Sequence, residues 1–123
     1  MNYIIVGLGG SIGAMLRYGA MIVLSGTFSA PIITLCINSF GSFILGFLFY
    51  TVKKKSNPLY LFVTTGILSG FTTFSTFSLD VVQLLQNELY WKAATISALS
   101  LLGCTFFAYS GAVLAKVDRK SVV

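Results

Sequence analysis

Residues 69–78 read SGFTTFSTFS, where five hydroxyl side chains follow the glycine and are interleaved with three phenylalanines spaced by three. The run lies inside a long apolar segment, where a membrane helix would normally carry leucine, isoleucine and valine. Each unpaired polar group costs roughly 4–8 kcal/mol when it moves from water into hydrocarbon. Because of this cost, we interpret the hydroxyls as a polar surface that the protein uses, with a membrane frame built around it.

The composition places the whole chain in a membrane. Of the 123 residues, 56% are hydrophobic and 9% are charged, whereas about 25% of the residues in a soluble domain are charged. Four apolar segments reach the roughly 20 residues that a helix needs to cross the hydrocarbon core. We predict an all-α integral membrane protein, a single domain over residues 1–123 with four transmembrane helices near 3–24, 31–52, 59–79 and 91–115.

This layout excludes several classes of function. Four helices use nearly the whole chain, so no soluble domain and no active site outside the membrane are expected, and the protein is not predicted to be an enzyme. The net charge of +5 comes from residues near helix ends, where membrane topology explains them better than nucleic-acid binding.

The third helix is predicted to be interrupted inside the membrane. Gly66 and Gly70 precede the Thr72–Thr73 pair, and carbonyls freed by a break must be satisfied by protein, water or an ion. Carbonyl and threonine oxygens suit a small hard cation such as Na+. The alternative is a continuous helix whose hydroxyls bond back to the carbonyls four residues earlier.

Two other helices carry polar stripes. In helix two, Asn38 and Ser42 lie four residues apart and share a face. Asn38 either bonds to a neighbouring helix or donates its amide hydrogens to a passing anion. In helix four, Ser97, Ser100 and Cys104 form a second stripe, which serves either helix packing or a polar path.

Helix one carries small residues and one charge. Gly9 and Gly13 form a small-xxx-small pair, as do Gly10 and Ala14, so another helix can approach closely. Arg17 lies near the far end of the helix. Its guanidinium either snorkels to the interface or raises the anion concentration in a vestibule.

The positive charges are distributed unevenly across the predicted membrane. Lys92 and Arg17 lie on one side. Because positive residues accumulate on the cytoplasmic side, we predict that both termini are cytoplasmic. The positive residues on that side are Lys53, Lys54, Lys55, Lys116, Arg119 and Lys120.

The deep polar groups favour an anion over a proton or a metal. Asp80, Glu88 and Asp118 are the only acids, none is predicted to lie mid-helix, and the chain has no histidine. Proton-coupled transport usually needs an ionisable group deep in the membrane, which argues against a small multidrug-type transporter. Hydroxyls and amides donate to anions, and phenyl edges carry positive partial charge. This set suits a small, strongly hydrated anion that binds weakly enough to leave.

Three motifs resemble those of the CrcB/Fluc family of fluoride channels. They are GGxxGAxxRY from residue 9, NxxGxFxxG from residue 38 and GFTTFSTFS from residue 70. They lie in order on helices one, two and three, and the four-helix layout covers the whole chain.

The resemblance implies a channel through which fluoride leaves the cytoplasm across the plasma membrane, down its gradient. It implies an antiparallel dimer with two narrow pores at the interface, a broken third helix and a structural Na+ at the dimer centre. Phe74 and Phe77 would line the pore, with Asn38 as a donor beside them. The other implied site residues are Ser75, Thr76 and Ser100 in the polar path, Arg17 in the vestibule, and Ser69 and Thr72 as backbone ligands of Na+.

Two positions depart from the family's pattern. Ser69 stands where the family usually has the first of two glycines, and a break that needs a positive φ there would be strained. In helix four, Tyr109 lies too far along to replace the family's pore tyrosine, and Cys104 takes the place of a hydroxyl.

The charge asymmetry bears on the partner. A homodimer of antiparallel subunits must insert in both directions, so a strongly oriented chain is predicted to pair with an oppositely oriented homologue. A dual-topology homodimer is the alternative. The competing function is a non-conducting or partner-dependent subunit. A non-conducting protein would have no need for Phe74, Phe77 and Asn38.

Overall fold

The computed structural model describes residues 2–52 and 56–121, and this part of the chain is helical without strands. Four helical segments follow one another, as the sequence predicts. In the third segment, two helices, α3 and α4, are separated by Thr72 and Thr73. The elements are α1 (Asn2–Ser25), α2 (Ala30–Thr51), α3 (residues 58–71, combining Pro58–Leu61, a π-helical stretch Phe62–Leu68 and Ser69–Phe71), α4 (Phe74–Gln86) and α5 (Tyr90–Ser121).

Three described helices are long and apolar enough to cross a membrane: Tyr3–Ser25, Ala30–Thr51 and Tyr90–Asp118. The third crossing is made of shorter pieces. The contacts between helices give their directions. Gly9 of α1 lies against Gly66 and Gly13 lies against Ile67, so α1 and α3 run parallel.

Short polar signals set where the helices begin. The Asn57 side chain accepts a hydrogen bond from the Leu59 amide at 2.9 Å and Pro58 follows in the first turn, an arrangement that satisfies one of the free amides at a helix start. Pro31 occupies the first turn of α2, as predicted. The predicted basic loop at Lys53, Lys54 and Lys55 lies outside the described residues.

The helix at the end of the third segment is longer than the predicted span. That span was predicted to end near residue 79, whereas α4 continues to Gln86. The turn that follows places Glu88 at φ 59°, the left-handed conformation that commonly ends helices. Asp80, predicted to begin the helix exit, therefore lies in the middle of α4 and is 5% exposed.

Close backbone approach joins α1 to α3. A Cβ on Gly9 would lie 2.6 Å from the Phe62 carbonyl oxygen, and a Cβ on Gly13 would overlap the Ile67 carbonyl oxygen. On the opposite helix, a Cβ on Gly70 would overlap the Gly10 carbonyl oxygen. Without these side chains the helices pack backbone to backbone, which confirms the predicted packing role of Gly9 and Gly13.

A second glycine contact joins α2 to α5. A Cβ on Gly46 would overlap the Ala108 carbonyl oxygen, and a Cβ on Gly111 would overlap that of Phe43. Ser39 of α2 lies against Cys104 of α5. Each of these residues precedes its counterpart in the Gly46–Ala108 contact by at least one helical turn, so α2 and α5 run parallel. The two glycine-packed pairs form the frame of the fold.

We predict that Gly13→Ala lowers the free energy of unfolding by about 1–3 kcal/mol, the usual cost of overpacking, because the new methyl group meets α3 backbone rather than a movable side chain. Thermal unfolding of the purified protein in detergent measures the change. Gly7→Ala and Gly19→Ala are matched controls on α1, since a Cβ at either position meets nothing within 4 Å. Equal melting temperatures for Gly13→Ala and the controls would contradict the contact.

Candidate functional site

A groove of about 510 Å³ runs along the point where α3 gives way to α4. Helices α2 and α5 form its sides. Its lining combines hydroxyls, one amide, one thiol and apolar side chains. The lining residues are Asn38, Gly41, Ser42, Leu45, Thr64, Leu68, Ser69, Thr72, Thr73, Phe74, Phe77, Ser97, Ser100, Leu101, Cys104 and Thr105.

The residues between α3 and α4 have an extended backbone. Thr72 has φ −76° and ψ 151°, and Thr73 has φ −150° and ψ 119°. Ser69 has φ −66° and ψ −37°, in the ordinary right-handed helical region. All three conformations are open to any L-residue, so serine in place of the family's glycine at position 69 introduces no backbone strain.

The Asn38 side chain takes over the hydrogen bonds of Thr73. The Thr73 amide donates to Asn38 Oδ1 at 2.7 Å, and Asn38 Nδ2 donates to the Thr73 carbonyl at 3.0 Å. One carboxamide thus satisfies both backbone groups of an extended residue, as a neighbouring strand would. Of the two roles left open by the sequence, the structure shows the bond to a neighbouring element. The second hydrogen on Nδ2 remains for another acceptor.

The Thr73 hydroxyl starts α4. It accepts from the Thr76 amide at 3.1 Å, and the Ser75 and Thr76 hydroxyls lie 3.1 Å from it. Ser75 and Thr76, predicted in the polar path, therefore gather around this hydroxyl and do not line the groove.

Two backbone carbonyls lose their helical donors at the same point. In an uninterrupted helix the Ser69 carbonyl would accept from the Thr73 amide, and the Thr72 carbonyl from the Thr76 amide. These amides bond instead to Asn38 Oδ1 and Thr73 Oγ1. Ser69 and Thr72 both line the groove. The alternative of hydroxyl back-bonding also occurs, since Thr72 Oγ1 donates to the Leu68 carbonyl at 2.9 Å.

Phe74 and Phe77 place two rings in the groove. Their centroids are 5.7 Å apart with an angle of 42° between the planes. Phe74 is 80% exposed although it is fully apolar, and it lies directly beside the paired Asn38 and Thr73. The structure thus brings three of the predicted pore residues together.

Helix α5 supplies the third side of the groove. Ser97, Ser100 and Cys104 all line it, so the predicted stripe faces the polar surface. Cys104 Sγ lies 3.9 Å from Ser39 Oγ, within reach of a weak hydrogen bond. Tyr109 is 70% exposed and outside the lining.

Arg17 is not brought to the groove. It lies half-buried on α1 and is absent from the lining. Its place in a vestibule stays a prediction.

Thr34 and Asp80 form a buried polar pair that was not predicted from the sequence. Thr34 Oγ1 donates to Asp80 Oδ2 at 2.6 Å, and the two residues are 2% and 5% exposed. Thr34 lies one helical turn before Asn38, so extending the polar stripe of α2 by four residues would have found it. The prediction that no acid lies mid-helix is wrong for Asp80.

The chain matches one family model and several curated relatives. The family model described as "CrcB-like protein, Camphor Resistance (CrcB)" matches residues 4–112. The chain is 40% identical to fluoride-specific ion channel FluC 1 of Listeria monocytogenes, over 86% of each chain. It is 39% identical to a fluoride-specific ion channel FluC of Ruminiclostridium cellulolyticum, over 99% of this chain and 95% of the relative. A FluC of Methanocaldococcus jannaschii is 39% identical, over 91% and 92%.

We predict that Asn38→Ala lowers the free energy of unfolding by about 2 kcal/mol or more, because the Thr73 amide and carbonyl both lose their partner and an unsatisfied buried group costs about 1–3 kcal/mol. Thermal unfolding in detergent measures the loss. Asn87→Ala is the matched control: its amide donates only to the Gln83 carbonyl at the exposed end of α4, so a change within about 0.5 kcal/mol is expected. Equal stability of the two variants would show that Thr73 does not depend on Asn38.

Proposed function

Because the chain belongs to the CrcB family, we propose that it is a fluoride-selective channel through which fluoride leaves the cytoplasm down its electrochemical gradient. The family match confirms the resemblance carried by the three motifs, and the relatives above are named as fluoride channels. A member of a channel family is not an enzyme, as the sequence predicted.

The exposed Phe74 ring beside Phe77 and Asn38 is the observation that carries the proposal. The Phe74 ring is 80% exposed and shares its groove with an amide and several hydroxyls. Ring edges carry positive partial charge, and Asn38 keeps one free amide hydrogen. The ring edges and the amide hydrogen together offer several weak donors to an anion that is losing its hydration water. Such donors allow binding that is favourable but not tight.

Two subunits are proposed to complete the pore. The groove is open on one side, and exposed apolar residues such as Phe74 and Leu101 border it. A second, antiparallel subunit would cover this surface and supply the missing wall. The interruption at Thr72 and Thr73 would then act as the broken centre of the third crossing, with one pore on each side of the dimer.

The partner is proposed to be an oppositely oriented homologue, and a copy of the same chain is the alternative. The uneven distribution of positive residues supports both termini on the cytoplasmic face of the plasma membrane. A chain held in this orientation would act as a partner-dependent subunit. This second candidate function rests on the charge asymmetry alone.

A structural Na+ is proposed between the subunits. The donor set fits: Ser69 and Thr72 both line the groove, their carbonyls are released from their helical donors, and carbonyl oxygens are hard ligands suited to Na+. Na+ when bound would supply positive charge that compensates for these carbonyls. The chain's part is to present both oxygens on the same surface, with Asn38 diverting the Thr73 amide.

The buried Asp80 changes the argument against proton-coupled transport. An acid does lie mid-helix, contrary to the prediction, but it is hydrogen-bonded to Thr34 and is absent from the groove lining. A small multidrug-type transporter would need its acid in the substrate path. The position of Asp80 therefore does not favour that function.

We predict that liposomes containing the purified chain together with an oppositely oriented homologue release fluoride rapidly and retain chloride, as read with ion-selective electrodes. Phe74→Ile and Phe77→Ile should each slow fluoride release roughly tenfold, equivalent to about 1.4 kcal/mol of lost interaction. Phe106→Ile is the matched control, because Phe106 is 65% exposed and outside the groove.

The fluoride-release assay distinguishes a channel formed by this chain alone from a partner-dependent subunit. Fluoride release by the chain alone would establish the channel and rule out dependence on a homologue. Release that begins only when an oppositely oriented homologue is added would establish the partner-dependent subunit. Silence under both conditions would contradict the channel.

Replacing Na+ by N-methylglucamine is predicted to lower the melting temperature, since a ligand at 100 times its Kd stabilises by about 2.7 kcal/mol. K+ should not restore it. Ser69→Ala should keep the full response to Na+, because the proposed ligand is the backbone carbonyl. If Na+ no longer raises the melting temperature of Ser69→Ala, the ligand is the Ser69 hydroxyl and not the carbonyl. If Na+ does not raise the melting temperature of the unaltered chain, the proposed Na+ site is wrong.

A further inference from the structure

Helix α4 carries both proposed pore rings, Phe74 and Phe77. None of its apolar side chains is fully buried against the rest of the chain. Asp80 is its only buried residue. The glycine contacts that hold the other helices do not reach α4. Hydrophobic packing within the chain therefore does little to fix the rotation of α4 about its own axis. Directional hydrogen bonds must fix it instead.

Two such bonds connect α4 to one face of α2. Asn38 holds the start of the helix at Thr73, and Thr34, one turn earlier on α2, donates to Asp80 Oδ2 at 2.6 Å. A single attachment would leave α4 free to rotate about its axis. Two attachments, at its first residue and in its middle, fix that rotation.

We propose that Asp80 is a positioning residue: through Thr34 it sets the rotation of α4 and thereby aims the Phe77 ring into the groove. Phe77 lies three residues before Asp80, so the two side chains are neighbours on the helix surface. Any rotation that moves the Asp80 carboxylate away from Thr34 carries the ring with it.

The position of Asp80 argues against direct contact with the ion, because Asp80 is absent from the groove lining. Its contribution is to accept the Thr34 hydrogen. A neutral acceptor of the same shape should therefore serve almost as well as the carboxylate.

This inference rests on the proposed channel for its flux readout, so the test adds a readout that does not. Amide hydrogen exchange of the full chain in nanodiscs reports on residues 74–86 whether or not fluoride passes. Thr34→Val, which removes only the hydroxyl, should speed exchange in residues 74–86 roughly ten- to a hundredfold, the range expected when a buried acceptor loses its hydrogen-bond partner. Exchange in α1 should not change.

The flux experiment uses conservative pairs. Thr34→Val and Asp80→Ala should lower fluoride release and narrow the ratio of fluoride to chloride release, whereas Thr34→Ser and Asp80→Asn should keep both. Thr51→Val is the matched control on α2: the Thr51 hydroxyl donates to the Phe47 carbonyl, without a partner on another helix. The double variant with Thr34→Val and Asp80→Ala should lower fluoride release no further than either single variant does.

Unchanged exchange in residues 74–86 of Thr34→Val would overturn the proposal, as would an equal rise throughout the chain. Loss of flux in Asp80→Asn with full flux in Thr34→Val would overturn it too, because the charge would then act on the ion. If the unaltered chain releases no fluoride, the proposed function fails and the exchange result decides this proposal by itself. If Asp80→Ala does not fold, Thr34→Val carries the comparison.

Discussion

A backbone interrupted inside a membrane leaves polar groups that have no water to bond to, and the structure depends on how Thr72 and Thr73 meet this constraint. The Asn38 carboxamide pairs with both backbone groups of Thr73, and the Thr73 hydroxyl begins the next helix. These bonds leave the Ser69 and Thr72 carbonyls without helical donors and hold Phe74 in an exposed position. The features that suit an anion path follow from this one solution.

Two kinds of contact divide the subunit into a rigid frame and one separately held helix. Gly13 against Ile67 and Gly46 against Ala108 bring backbones together, which gives dense packing that little movement can relieve. Helix α4 lacks such contacts and is attached through Asn38 and Asp80. Phe74 and Phe77 thus stand on the element whose position depends most on hydrogen-bond direction.

The fold was largely accessible from the sequence because hydrophobic length and small-residue spacing are local signals. The four crossings and the contact role of Gly9 and Gly13 follow from them. Asp80 was misread because an acid after an apolar run is the ordinary sign of a helix exit. Only the approach of Thr34, 46 residues away in the chain, makes a buried position tolerable, and no local pattern reports that approach. The π-helical stretch from Phe62 to Leu68 was also not predicted.

The sequence alone determined the membrane location, the helix count and the set of polar residues, since each depends on composition and spacing along the chain. It also determined the family, through three motifs. The tertiary structure decided which partner each polar group has: Asn38 with the backbone of Thr73, Thr34 with Asp80, and Ser75 and Thr76 with a neighbouring hydroxyl rather than with the groove. A hydrogen bond requires two groups within about 3 Å and correctly oriented, and distances of that kind between remote residues exist only after the helices have packed.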